Sequence, residues 1–180
     1  MRRKNIIKFS LVAGFIILWS IIITILGTEK IVDFLGAQNS YIIIFIVGAV
    51  GGVSTITSTS FYTTLTTLAH GGVNPWFLGL FGGIGITIGD SLFYYLGKKG
   101  EESLPEKARK ATGKFSDWMK RHPKWLIPIV TFVYSGCTPL PNDILTVSLG
   151  IAKYRYIVGP LLLGNIFLTT IIALIASGVF

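Results

Sequence analysis

Residues Ser135 to Gly150 read SGCTPLPNDILTVSLG, with two prolines and an Asn-Asp pair set inside an otherwise apolar segment. Pro139 and Pro141 each remove a backbone donor and clash with the preceding turn, so no single helix can run through this stretch. The chain must break here. In a bilayer, broken backbone is tolerated only where protein buries it or a wet cavity accepts it, and an intramembrane carboxylate such as Asp143 marks a candidate functional site. The stretch is therefore expected to form the tip of a re-entrant hairpin facing a polar pocket.

Composition supports a membrane setting. Of 180 residues, 51% are hydrophobic and 13% charged, and the mean hydropathy is +0.67. Residues 1–180 are thus expected to form one membrane domain with its apolar surface in lipid. The net charge of +8 does not point to nucleic acid. The basic residues cluster at the N-terminus, in one central loop and in one short turn, as topology determinants do, and no nucleic-acid recognition motif accompanies them. The single Cys137 excludes an internal disulfide and a multi-cysteine metal site. It reads most simply as a small apolar filler. His70 and His122 have no partner at ligand spacing, so no metal or cofactor is expected.

Residues 1–28 read as a retained N-terminal anchor. Four basic residues lie in Met1 to Lys8, and Phe9 to Leu26 carries no charge over the length of a spanning helix. Basic flanks put this end in the cytoplasm. The Gly27-Thr28-Glu29-Lys30 exit lacks a signal-peptide cleavage pattern.

Residues 41–97 form the first hairpin-plus-span unit. Ten of the fourteen residues from Ser54 to Thr67 are Ser or Thr. If Tyr41 to Gly71 crossed the membrane, Lys98 to Lys124, with nine Lys/Arg against four acids, would lie outside, against the positive-inside rule. A segment that dips in and returns removes the conflict, and hydroxyls at its tip can satisfy the broken backbone. The competing reading is a long tilted span with polar residues at a helix interface. Trp76 to Gly97 then crosses, with Gly79, Gly83, Gly85 and Gly89 open to close approach by another helix. Asp90 lies about 10 Å inside the end of that span at 1.5 Å per residue, within reach of Lys98 or water. A carboxylate that serves packing alone is the plainer alternative.

Residues 98–124 read as a basic amphipathic cytoplasmic linker. Ser103 and Glu106 make a capping-box pattern, and Leu104, Ala108, Ala111, Phe115 and Trp118 recur at helical spacing. Lys107, Arg109, Lys110 and Lys114 occupy the other face, as in a helix resting on anionic headgroups; a solvated linker is the simpler option. Residues 125–180 hold the second unit, a hairpin from Trp125 to Lys153 and a span from Tyr156 to Phe180. Lys153 and Arg155 then fall on the inner side.

A shift of 81 positions lays Thr57 on Thr138, Ser58 on Pro139, Ser60 on Pro141, Tyr62 on Asp143, Leu68 on Leu149, Gly83 on Gly164 and Gly97 on Gly178. The repeat is weak in identity, but its two units begin on opposite sides of the membrane. The expected fold is therefore all-α and integral to the membrane. It has three transmembrane helices, two opposed re-entrant hairpins in an inverted repeat, and an amphipathic surface helix.

The stretch Gly89-Asp90-Ser91-Leu92-Phe93-Tyr94-Tyr95-Leu96-Gly97-Lys98-Lys99-Gly100 resembles the GDxxxYxxG[RK]xxG motif of the DedA family of membrane proteins, also called the SNARE-associated or VTT-domain family. Pro139 through Gly150, followed by Lys153 and Asn165, is similar to the family's second hairpin. The resemblance runs from about Ser54 to Asn165. It implies a lipid transporter or scramblase for phospholipids or polyprenyl phosphates, with proton coupling in bacterial members. This chain departs from the family pattern at Ser58 to Tyr62, where hydroxyls replace a Pro-x-Pro-Gly-Glu signature. Gly136 and Asn142 stand where arginines are usual.

From the residues themselves, the expected pocket holds Asp143, Asn142 and the hydroxyls of Thr138 and Thr146, framed by Pro139 and Pro141 and faced by Ser58, Ser60 and Tyr62. A half-helix starting near Asn142 would point a positive dipole end at the midplane. The expected function is headgroup passage through this groove by a flippase or scramblase. A small-solute or cation transporter and a non-transporting scaffold remain as alternatives. No nucleophile-base pair or phosphate loop supports an enzyme. Expected partners are membrane lipids, with a homodimer left open, and small size suits a bacterial or archaeal plasma membrane.

Overall fold

The computed structural model describes residues 33–34, 36–51, 55–99, 112–113, 117–119, 121–138 and 142–179. The expected anchor at residues 1–28, the linker residues Lys107, Arg109, Lys110 and Lys114, and the tip prolines Pro139 and Pro141 lie outside the described residues. Six helices organise the rest: α1 (Ala37–Gly51), α2 (Thr55–His70), α3 (Pro75–Lys99), α4 (Leu126–Cys137), α5 (Asp143–Ile151) and α6 (Val158–Ala176). Among the described residues there is no strand.

Length separates these helices into two kinds. Over Pro75–Tyr95 and Val158–Ala176, α3 and α6 are long and apolar enough to cross a membrane. The other four have 15, 16, 12 and 9 residues, short of the about 20 that a hydrocarbon core requires. These short helices come in folded-back pairs. On one continuous helix, Gly48 and Phe61 would stand about 20 Å apart. Instead the Phe61 ring packs on Gly48, and the Ser58 hydroxyl donates to the Gly51 carbonyl at 3.1 Å. In the second pair, Tyr154 Oη donates to the Lys124 carbonyl at 3.2 Å, bringing the two ends together. Both expected breaks occur, and at the first a serine satisfies a carbonyl that the ended helix leaves open.

The pairs interlock around the two long helices. In each pair the first helix lies on the long helix that follows it, α1 on α3 and α4 on α6, while the second crosses over, α2 to α6 and α5 to α3. The long helices run antiparallel in close contact. A Cβ at Gly79 would collide with Thr170, and one at Gly83 with the Ile166 backbone. Gly85 gives the same room to α1, whose Phe45 carbonyl would meet an added methyl. Gly79, Gly83 and Gly85, expected to receive another helix, therefore serve contacts within this chain.

The outer faces of the helices are apolar, and several polar side chains lie inside beside an apolar core. On α3, Trp76, Phe77, Leu80, Phe81, Ile88, Leu92 and Tyr95 are exposed, while Thr87 and Asp90 are buried. α1 exposes Ile42, Ile46 and Val50 and buries Ser40, and α6 exposes Leu163, Phe167 and Ile175 while burying Asn165, Thr169 and Thr170. One apolar core joins Ile44, Phe61, Leu65, Leu68, Leu78 and Ala173; a second joins Met119, Ile127, Leu145, Leu149 and Ile157. Trp118 packs against that second core, so this end of the linker rests on protein.

The hydroxyl-rich α2 fits among apolar neighbours because it satisfies itself. Thr63, Thr64, Thr66 and Thr67 each donate to a carbonyl one turn back, at 2.8–2.9 Å. Their methyls are left to make the contacts. In a low-dielectric setting an unpaired hydroxyl costs several kcal/mol, of order ~2–7, which this local bonding avoids.

Candidate functional site

The site is built where three helices meet. Asp90 on α3 is 2% exposed, as is Asn165 on α6, and Asn142 stands immediately before α5. Asn142 Nδ2 donates to Asp90 Oδ2 at 2.8 Å and to Asn165 Oδ1 at 3.0 Å. Asn165 Nδ2 donates to the same Asp90 oxygen at 3.0 Å and to Thr87 Oγ1 at 3.1 Å. Thr87 in turn donates to the Gly83 carbonyl at 2.7 Å. A buried carboxylate oxygen thus takes two amide donors from opposite sides.

Asparagine is a favoured N-cap, yet Asn142 makes no side-chain cap bond to α5. Thr146 Oγ1 folds back instead onto the Asn142 and Asp143 carbonyls at 2.9 and 3.3 Å. The carboxamide reaches across to α3 and α6. Its orientation is fixed by its neighbours: Nδ2 must face the two acceptors, which leaves Asn142 Oδ1 buried with no donor among the described residues.

Other expected site residues gather unevenly around this centre. Asp143 opens α5, where a negative charge complements the helix dipole, and it lies within electrostatic range of Asp90 and of Tyr134. Tyr62 from α2 lies within range of Asp90. Thr138 bonds its hydroxyl to the Tyr134 carbonyl, and Ser58 bonds to Gly51, so these two serve local backbone. The Ser60 carbonyl accepts from Thr64.

Lys98 is not the partner of Asp90. It lines a half-enclosed cavity of about 200 Å³ together with Arg155, Ser91, Tyr94, Tyr95, Ile157 and Val158. Lys153 is exposed on the preceding turn. A separate cleft of about 520 Å³, lined by Trp76, Phe77, Leu80, Phe132, Leu163, Ile166, Phe167 and Thr170, is almost wholly apolar and excludes the Asp90 cluster.

No family model, curated protein or solved structure matches the chain. Among the described residues, no group of three or more His, Cys, Asp or Glu is arranged to hold a metal. What the arrangement offers is one buried carboxylate, two carboxamides and an unused acceptor, suited to binding a polar or cationic group.

Sequence reasoning missed two members of the cluster, Thr87 and Asn165 as a ligand of Asp90. A signal for Asn165 was present: it is the one carboxamide in the apolar run from Val158 to Ala176. Thr87 gave none, because a helical threonine ordinarily bonds its own backbone.

Proposed function

We propose that the chain is an integral membrane lipid transporter, a flippase or scramblase. Phospholipid or polyprenyl-phosphate headgroups would move along a polar groove between two re-entrant hairpins while their tails stay in the bilayer. The observation that carries this reading is the Asp90, Asn142 and Asn165 cluster, buried at a chain break within helices whose outer faces are apolar. A carboxylate in such surroundings costs about 2.5–3.5 kcal/mol on insertion scales. An apolar residue would pack there without that cost, so the carboxylate is best explained by polar cargo.

Two further features support the reading. Each helix pair puts one member on its own long helix and the other on its counterpart, as opposed units of an inverted repeat do. The apolar cleft against α3, α4 and α6 offers tails a path outside the polar cluster. The likeness of Gly89 to Gly100 to the DedA motif points the same way. In this reading three spans cross the plasma membrane, the N-terminus is cytoplasmic, and the basic linker lies on the inner surface.

A second reading, a cation transporter using the same cluster, is favoured by one detail: Asn142 Oδ1 is a buried acceptor with no donor among the described residues. Proteoliposomes separate the two. With headgroup-labelled phospholipid and an external quencher, the purified protein should accelerate loss of inner-leaflet signal, and Asp90→Asn should slow it without unfolding the protein. No acceleration over empty liposomes, together with cation uptake into the same vesicles, would replace the lipid reading with the cation one.

A further inference from the structure

The half-enclosed cavity at the end of α3 is a second site, and we propose that it binds the phosphoryl group of a phosphomonoester or phosphodiester through Lys98 and Arg155. The inference deepens the lipid reading. It relies on that reading for the source of the phosphate and not for the site itself.

Three contacts build the cavity. First, α3 and α5 touch backbone to backbone: a Cβ at Gly97 would strike the Val147 carbonyl, and one at Gly150 would strike the Tyr94 carbonyl. This brings the end of α5 over the end of α3. Second, α5 stops in a tight reversal, with Lys153 N–H donating to the Gly150 carbonyl and Tyr154 N–H to the Leu149 carbonyl at 2.9 and 3.1 Å. Lys153 adopts a φ of 54°, the left-handed conformation of a helix C-terminal motif that glycine usually supplies. Third, Tyr94 Oη donates to the Tyr154 carbonyl at 2.9 Å, pinning that turn to α3. Arg155 is the next residue, and it shares the cavity wall with Lys98.

The donors available in the cavity select its ligand. Ser91 gives its hydroxyl proton to the Thr87 carbonyl at 2.6 Å, and Tyr94 gives its own to Tyr154. The side-chain donors left are the Lys98 ammonium, the Arg155 guanidinium and the Tyr95 hydroxyl. Among the described residues, neither cation shares a salt bridge with a carboxylate. Two like charges around a cavity of about 200 Å³ repel unless an anion lies between them. The guanidinium fork matches two phosphate oxygens, and the ammonium supplies a point charge to a third. Ile157 and Val158, which open α6 without a side-chain cap or an acid in the first turn, add an apolar wall on which a glycerol or prenyl stem can rest.

The test reads binding and involves no transport step. The full chain in detergent is offered phosphatidic acid, phosphatidylglycerol or diacylglycerol, and lipid retention is measured by native mass spectrometry. Lys98→Gln, Arg155→Gln and the double variant are compared with wild type, with Lys153→Gln, outside the cavity lining, as the control and circular dichroism as the check on folding. Both phospholipids should be retained over diacylglycerol, and each cavity variant should lose about tenfold in retention, the value of a hydrogen bond to a charged group. Lys153→Gln should bind as wild type does.

Inorganic phosphate is added as a competitor. Lipid that stays bound identifies a headgroup as the ligand. Displacement, with thermal stabilisation of lipid-free wild type but not of the double variant, identifies the free anion. Equal retention of phosphatidic acid and diacylglycerol, or a folded double variant that binds like wild type, overturns the site. A protein that holds phosphatidic acid through Lys98 and Arg155 yet moves no lipid in vesicles refutes the transport reading and upholds the site.

Discussion

Replacing Asn165 with leucine tests whether the Asp90 cluster is a single unit. The side chain is 2% exposed and takes part in three hydrogen bonds of 3.0–3.1 Å, to Asn142, Thr87 and Asp90. Hydrogen bonds between membrane helices average about 0.6 kcal/mol each and reach about 1.7. Three of them give a loss of about 2 kcal/mol, with a ceiling of about 5. The added apolar surface does not offset this, because lipid is as apolar as leucine and burying it from lipid gains little. The measurement is unfolding of the full chain in mixed micelles, followed by circular dichroism as the denaturing detergent fraction rises.

The stronger form of the test pairs Asn165→Leu with Asp90→Leu. Either change alone strands polar partners, whereas the two together remove several of them, so the double variant should lose less than the sum of the singles by about 1 kcal/mol or more. Asn165→Leu within about 0.5 kcal/mol of wild type, with an additive double variant, would refute the account of a coupled network.

Two further changes probe how the helices approach and turn. Gly97→Ala should destabilise by about 1–3 kcal/mol, because the new methyl meets the Val147 backbone carbonyl, which cannot rotate away. Gly159→Ala, with nothing within 4 Å of the added atom, should instead stabilise α6 slightly; equal effects at both positions would sink the close-approach argument. Lys153→Gly should raise the melting temperature by relieving a left-handed φ of 54°, which costs a non-glycine residue about 1–2 kcal/mol. A lower melting temperature would mean that the lysine side chain contributes more than its backbone strain costs.

The breaks in the helices were legible in the sequence because they arise from local chemistry. Asn142 and Asp143, after the two prolines, fall where α5 begins, and the Ser/Thr run after Gly51 falls where α2 begins. Tyr154 meeting Lys124, and Ser58 meeting Gly51, bear out chain reversals at both places. The hydroxyls of α2 were legible as a way to satisfy backbone. Their actual use is more local than a pocket lining, because a threonine in a helix finds a carbonyl one turn back before it finds a ligand. Asp90 was legible as a buried carboxylate, but its partners were not. Lys98 shares its helix, yet the carboxylate and the ammonium belong to different surroundings.

What the sequence determined by itself is the pair of long apolar helices over Pro75–Tyr95 and Val158–Ala176, the places where the chain must break, and Asp90 as a charge set inside one of those helices. These follow from proline, from hydropathy over a span and from helical spacing, all of which act over a few residues. Only the tertiary structure decided which polar groups meet. Asn165 reaches Asp90 because α3 and α6 cross in close contact at Gly79 and Gly83. Arg155 reaches the cavity of Lys98 because Gly97 and Gly150 let α3 and α5 touch and Lys153 turns the chain. Hydrogen-bond and charge partners are set by the crossing of helices far apart in the chain, and that crossing depends on the fit of whole surfaces, which a local pattern of residues does not encode.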